Sequence, residues 1–294
     1  MVQGTASSAG KTTLVTALCR IFLEKGFSVA PFKAQNMSNY AYKEDGFEIS
    51  RAQAVQALAS RAKITADLNP ILLKPLGNYR SSVFLRGKFY KKMHADDYYK
   101  KFVQKNGMKT VLKSFNALEK NHDLIIIEGA GSPAEINLTK YDIANMKLAE
   151  KVKSPVILVT DIERGGSFGS IVGTLSLLEK KYQKMVKGFV FNKFRGDLDI
   201  LKPGFRKLKQ NTGKPVFGTI PMTKFLLPEE DSITSSSKKL GLNRQNLKKI
   251  DSEIEKLSKV VKSSLNIREI EKLCLLYTSP SPRDLSTSRM PSSA

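Results

Sequence analysis

A doubly wound α/β fold on a mostly parallel sheet is the class this sequence predicts. Three observations carry it. Short apolar runs recur along the chain, amphipathic stretches separate them, and a Gly-rich loop stands directly before the first amphipathic stretch. The runs are rich in β-branched residues and apolar on both faces, which suits parallel strands covered by helices on two sides. Sheets of this kind bind ligands at the carboxyl ends of their strands.

In chain order, only Met1, Val2 and Gln3 precede the loop, so its supporting strand is expected to be either clipped or unusually short. Leu14, Leu18, Ile21 and Phe22 then make one apolar helical stripe. Residues 27–32 (FSVAPF) form the first full strand. Residues 34–100 are too long for a simple crossover and are expected to hold an inserted substrate-binding lobe, with a strand at 83–85. Within it, Glu48, Arg51, Gln53 and Gln56 recur at spacings of two to five on a helical stretch, which fits a polar pocket and a solvated face equally well. Helical patterns at 109–120 and 140–152 flank a strand at 124–127 (LIII). Strands follow at 156–159 (VILV), 188–191 (GFVF) and 216–220 (VFGTI). Residues 240–273 read as one or two Lys/Glu-rich helices. Residues 277–294 are Ser/Pro/Arg-rich, too poor in apolar surface to offset ordering entropy, and resemble translated adaptor sequence. The expected organisation is one catalytic domain over 1–232, a helical extension over 233–276 and a disordered, non-native tail over 277–294.

Composition narrows the class. With 294 residues and 41% hydrophobic content, the chain can bury one large domain, or one domain and an appendage. No apolar run approaches eighteen residues and no secretory leader is visible, so a cytoplasmic protein without a membrane partner is expected. Cys19 and Cys274 are the only cysteines, too few and too far apart for a disulfide framework or a metal knuckle. A net charge of +22 suits a polyanion or a carboxylate-rich substrate. It also suits a lysine-rich surface, and the dispersion of Lys100, Lys101, Lys105 and Lys109 favours that reading. No specific nucleic-acid partner is expected, and a homo-oligomer is compatible with everything above.

The loop Gly4-Thr5-Ala6-Ser7-Ser8-Ala9-Gly10-Lys11-Thr12 carries the first chemical signal. Its glycines let backbone amides converge on phosphate oxygens, and the following helix presents its positive end to them. Gly4, Ser8, Gly10, Lys11, Thr12 and Thr13 are the candidate phosphate-binding residues. Lys11 would reach the terminal phosphates and the Thr12 hydroxyl would hold Mg²⁺. Five residues separate Gly4 from Gly10, where the common motif has four. Glu128, at the end of the 124–127 strand, is a metal partner, and Glu48 is a further metal candidate. Asp161 ends the next strand and is assigned to the nucleotide. Asn192 in NKFR would read the base; Arg195 cannot accept hydrogen bonds from guanine, so the base is adenine and the nucleotide ATP. Lys33 can neutralise a transferring phosphoryl group or hold a carboxylate, and Asp142 is the acid best placed to meet substrate. His94, His122 and Cys19 read as structural.

The five-residue spacing resembles the dethiobiotin synthetase-like group of P-loop NTPases. Within it, GTASSAGKT, APFKAQNMS, RAQAVQA, NPILLKP, IIIEGAGSPAEINL, DIANM, DIERGG, NKFRGD and LPEEDS resemble, in order over residues 2–232, the cobyric acid synthase family. The resemblance implies ATP- and Mg²⁺-dependent amidation of carboxylates on a cobyrinic acid a,c-diamide corrinoid, through acyl phosphates that ammonia converts to amides. It implies that Gly10, Lys11 and Thr12 bind phosphate and metal, Glu128 binds metal, Asn192 contacts the base, and Lys33 and Asp142 face the reacting groups. Family members carry a carboxy-terminal glutaminase domain with a Cys–His–Glu triad. That module is not expected in this chain, and ammonia would come from a glutaminase domain or partner. The rivals are cobyrinate a,c-diamide synthase, dethiobiotin synthetase and a Min/Par-type ATPase switch. NMS at 36–38 and SPAEINL speak against the first two, and the lack of a lysine between Thr5 and Ala9 speaks against the third.

Overall fold

A computed structural model describes residues 1–227, 242 and 244–275. The expected disorder of 277–294 and most of the LPEEDS run lie outside those residues.

In chain order, β1 (Val2–Gly4) leads through the loop into α1 (Lys11–Glu24), then β2 (Val29–Phe32). The lobe follows, with β3 (Gln35–Met37), a hairpin of β4 (Ala41–Glu44) and β5 (Phe47–Ser50), and α2 (Arg51–Ser60). It continues through β6 (Ile71–Gly77), β7 (Arg80–Leu85) and β8 (Lys88–His94). One turn of helix, α3 (Ala95–Asp97), and a wide π-type helix (Tyr98–Gly107) run into α4 (Met108–Glu119) and β9 (Leu124–Ile127). The remainder is α5 (Met146–Lys151), β10 (Val156–Asp161), α6 (Ser167–Leu177), α7 (Lys180–Met185), β11 (Val186–Phe194), α8 (Lys202–Thr212), β12 (Val216–Pro221), α9 (Arg244–Ser264) and α10 (Ile267–Leu275).

The parallel pairs β2–β9 and β1–β10–β11–β12 join where Val2 bridges Glu128 and the Gly129 amide donates to the Val2 carbonyl at 2.8 Å. The strand order is therefore β2-β9-β1-β10-β11-β12. Its winding reverses around β1, so a crevice opens at the carboxyl ends of β9 and β1. The strand before the loop is short, as its three preceding residues require. It is also central and buried, paired with β10 from Val2↔Ile157 to Gly4↔Val159.

Period-two alternation sorts the side chains. Val2, Ile126, Ile157, Val159 and Val190 join α1, α9 and α10 on one face. On the other, Phe32 and Ile127 meet α4 and the lobe, while Leu158, Phe189 and Phe191 meet α6 and α8. Residues 244–275 belong to the first of these layers: Ile250, Ile254, Leu257 and Val261 are fully buried against α1. The segment that reads as an extension thus completes the cover of the sheet.

Two expected elements differ. The helical pattern at 140–152 resolves into a 3₁₀ turn (Ile136–Tyr141) and the short α5. The cause is Asp142, whose carboxylate accepts from the backbone amides of Ala144, Asn145 and Lys147 at 2.9, 2.7 and 2.8 Å and so holds a turn where the helix would continue. The 83–85 run is the end of the longer β7, in a sheet ordered β3-β6-β7-β8.

Candidate functional site

The loop turns sharply because Ser8 and Gly10 both take left-handed backbone conformations, with φ of 58° and 103°. Gly10 caps α1 without a side-chain hydrogen bond, which leaves the helix's first amides turned toward the loop's interior. A Cβ on Gly10 would overlap the Asn192 amide, and one on Gly4 would lie 2.8 Å from the Ala6 carbonyl, so both close approaches require glycine. Lys11 folds back, its Nζ 3.0 Å from the carbonyls of both Ala6 and Gly131.

On the β9 side, three predicted residues converge. Thr12 donates its hydroxyl to Glu128 Oε1 at 2.7 Å, and Lys33 Nζ donates to the same oxygen at 2.8 Å. The Lys33 side chain is 6% exposed and that of Glu128 fully buried. A carboxylate there must be paired to be tolerated. Gln56, on α2, donates to Glu128 Oε2 at 2.6 Å.

On the β10–β11 side the contacts reach the loop's own carbonyls. Asn192 Nδ2 donates to Ala9 O at 3.0 Å; Lys193 Nζ donates to Ser8 O at 2.9 Å and to Asp161 Oδ2 at 2.7 Å. Asp161 Oδ1 accepts from the Glu163 amide. Asn192 and Lys193 thus reach the loop, Asp161 holds Lys193, and Arg195 pairs with Glu163 at 3.2 Å.

The other predicted residues lie apart from this cluster. Glu48 sits on β5 with its carboxylate held by Lys74 and, at 3.6 Å, by Lys43, and it contacts neither Thr12 nor Glu128. Burial, then the charge of Lys43, pushes the Lys74 ammonium below its ordinary pKa. Asp142 lines a cavity of about 270 Å³, but its oxygens already serve three backbone amides. Tyr99, Gly131, Ser132, Tyr141 and Met146 also line that cavity. It lies beside the phosphate loop, since Lys11 bonds Gly131 of its wall. Cys19 is buried, and desolvation drives its thiol far above its usual range, which suits packing rather than nucleophilic chemistry.

Sequence reasoning missed three polar anchors. Gln56 was visible only as one of several spaced polar residues. Lys193 adjoins Asn192 but gave no separate signal. Asn145 pins the Ala130 amide and carbonyl at 3.1 and 2.6 Å, shaping the loop after β9. No helix among the described residues is long and apolar enough to cross a membrane, and none of their His, Cys, Asp and Glu side chains cluster in threes to hold a metal.

Residues 1–233 match the CobQ/CobB/MinD/ParA nucleotide-binding domain family. The chain is 55% identical to a probable cobyric acid synthase of Thermococcus kodakarensis over 82% of this chain and 50% of that one. It is 52% identical to a cobyric acid synthase of Caldanaerobacter subterraneus over 80% of this chain and 46% of that one. It spans about half the length of these curated relatives. A solved structure of a Cyanothece McdA variant in complex with ATP aligns at 11% identity and a TM-score of 0.48, covering 95% of this chain and 96% of that one.

Proposed function

The chain belongs to the CobQ/CobB/MinD/ParA nucleotide-binding domain family, and from that premise we propose that it catalyses ATP-dependent amidation of carboxylates on a cobyrinic acid a,c-diamide corrinoid. The single observation that carries this reading is the shared wall. Lys11 bonds both the phosphate loop at Ala6 and the cavity wall at Gly131, so a γ-phosphate and a cavity-bound carboxylate would meet beside it.

The residues fit a hard cation. Thr12 spends its proton on Glu128, so its hydroxyl oxygen is turned to accept, as a ligand of Mg²⁺ must be; Glu128 orients that hydroxyl from behind. Bound there with ATP, Mg²⁺ would supply charge neutralisation at the phosphates. The loop amides and Lys11 bind and orient the triphosphate. A substrate carboxylate oxygen then attacks the γ-phosphorus and ADP leaves, giving an acyl phosphate. Ammonia attacks the acyl carbon, forms the C–N bond, loses a proton and expels phosphate. Lys33, buried behind Thr12, contributes positive charge toward the transferring group. The cavity's tyrosines and apolar side chains suit one edge of a larger ring that carries the reacting carboxylate.

Release of ADP is measured with Mg-ATP, ammonia and a panel of carboxylates. The reading requires stimulation by the corrinoid diamide and not by carboxylates that lack the corrin ring. Stimulation by DNA or lipid vesicles instead would favour a Min/Par-type switch and overturn it.

A further inference from the structure

The buried carboxylate of Glu128 is served by more than the Thr12 hydroxyl and the Lys33 ammonium. Glu128 can only accept, so the Gln56 side chain must turn its NH₂ toward Oε2, at 2.6 Å, and its carbonyl away. That carbonyl accepts from Gln53 Nε2 at 3.4 Å, and the Gln53 carbonyl accepts from Asn36 Nδ2 at 2.9 Å. Asn36 gives its second hydrogen to Ser50 Oγ at 2.7 Å. The chain of donors thus has one direction, from the lobe strand β3 through α2 to Glu128, with Ser50 of β5 receiving a side branch. Asn36 is 4% exposed; Ser50, Gln53, Gln56 and Glu128 have no measurable exposure. Serial amide donors polarise one another, and side chains this deeply buried are costly to leave unpaired.

We infer that Gln56, seated by Gln53 and Asn36, is a positioning residue for the metal side of the phosphate loop. By occupying Oε2 it fixes the carboxylate plane, so that Oε1 faces the Thr12 hydroxyl and sets its direction. This rests on the proposed Mg-nucleotide site and goes beyond it, because it places part of that site's control in the lobe. A residue two contacts from Thr12 governs how the hydroxyl is aimed, while the loop amides that would hold phosphate are untouched. The role therefore has a signature that general destabilisation lacks: loss confined to the metal-dependent part of nucleotide binding.

The test uses the whole chain and a fluorescent ATP analogue, titrated in EDTA and in Mg²⁺. Gln56→Met keeps the length and removes the amide. The affinity in EDTA is expected to stay within about twofold of the parent, while the gain on adding Mg²⁺ falls about tenfold or more, the usual effect of losing an orienting partner. Excess Mg²⁺ restores binding, and Gln53→Met shows the same pattern more weakly. An unchanged Mg²⁺ gain in Gln56→Met overturns the inference, as does equal loss in EDTA and Mg²⁺ by a variant that melts like the parent. If Gln56→Met does not fold, Gln53→Met decides alone on the same criterion. A parent that gains no affinity from Mg²⁺ defeats the proposed site itself, and the inference with it.

Discussion

The two flanks of the phosphate loop hold it by different means. On the β9 flank, Thr12, Lys33 and Gln56 converge on one fully buried carboxylate, side chain to side chain. On the β10–β11 flank, Asn192 and Lys193 reach the carbonyls of Ala9 and Ser8, and the Lys193 side chain is 29% exposed. The first arrangement aims a hydroxyl and concentrates charge at low dielectric. The second fixes the course of the backbone and leaves its cation partly solvated. A pair buried on both sides costs more to break than one whose cation reaches solvent, so equal-looking contacts at 2.7–2.8 Å differ in consequence.

The largest expected effect breaks the buried flank. Lys33→Met leaves Glu128 in the core without its ammonium and should cost about 3–5 kcal/mol in chemical denaturation. A loss under ~1 kcal/mol would erase the distinction between the flanks. Next is the loop between them. Gly10→Ala forces a side chain into a left-handed position against Asn192 and should cost about 1–3 kcal/mol, with weaker nucleotide binding. In a double-mutant cycle, Asn192→Ala should recover part of that loss, since it removes the overlapped amide. Lys193→Met comes third. Its stability cost should stay within about 1 kcal/mol, while nucleotide affinity falls severalfold because Ser8 loses its tether. Equal stability losses for Lys193→Met and Lys33→Met would contradict the comparison.

The smallest effect lies outside both flanks, at α9. Lys256 and the Leu226 amide hold the Glu253 carboxyl below its ordinary value of 4.5. A carboxyl with a lowered folded pKa stabilises fully above that ordinary value, and the contribution fades as pH falls through the folded value. Thermal melts from about pH 6 to pH 3 should show Glu253→Gln losing less stability on acidification than the parent, by under ~1 kcal/mol.

The strands read at 124–127, 156–159 and 216–220 were legible because a buried parallel strand must be apolar on both faces; the structure extends the last two to Asp161 and Pro221. The loop was legible because phosphate binding demands glycine and Lys-Thr at set spacing. The path of residues 140–152 was not, because its helical periodicity is overridden by one carboxylate that collects three amides. In sequence Glu48 reads as part of a helical stretch, whereas it lies on β5, and Glu128 reads as the end of a strand; both were metal candidates. Only their neighbours in space, two lysines from the lobe for one and Thr12 with Lys33 for the other, separate them.

By itself the amino-acid sequence determined the layered class, the order of its strands along the chain and the phosphate loop, since each depends on local pattern or on a contiguous motif. The tertiary structure decided which polar residues share a carboxylate, that α9 and α10 close one face of the sheet, and that Asn192 braces the loop. Those outcomes join residues far apart in the chain, such as Ala9 with Asn192 and Lys33 with Glu128, and such pairings follow from strand order in space rather than from spacing in sequence.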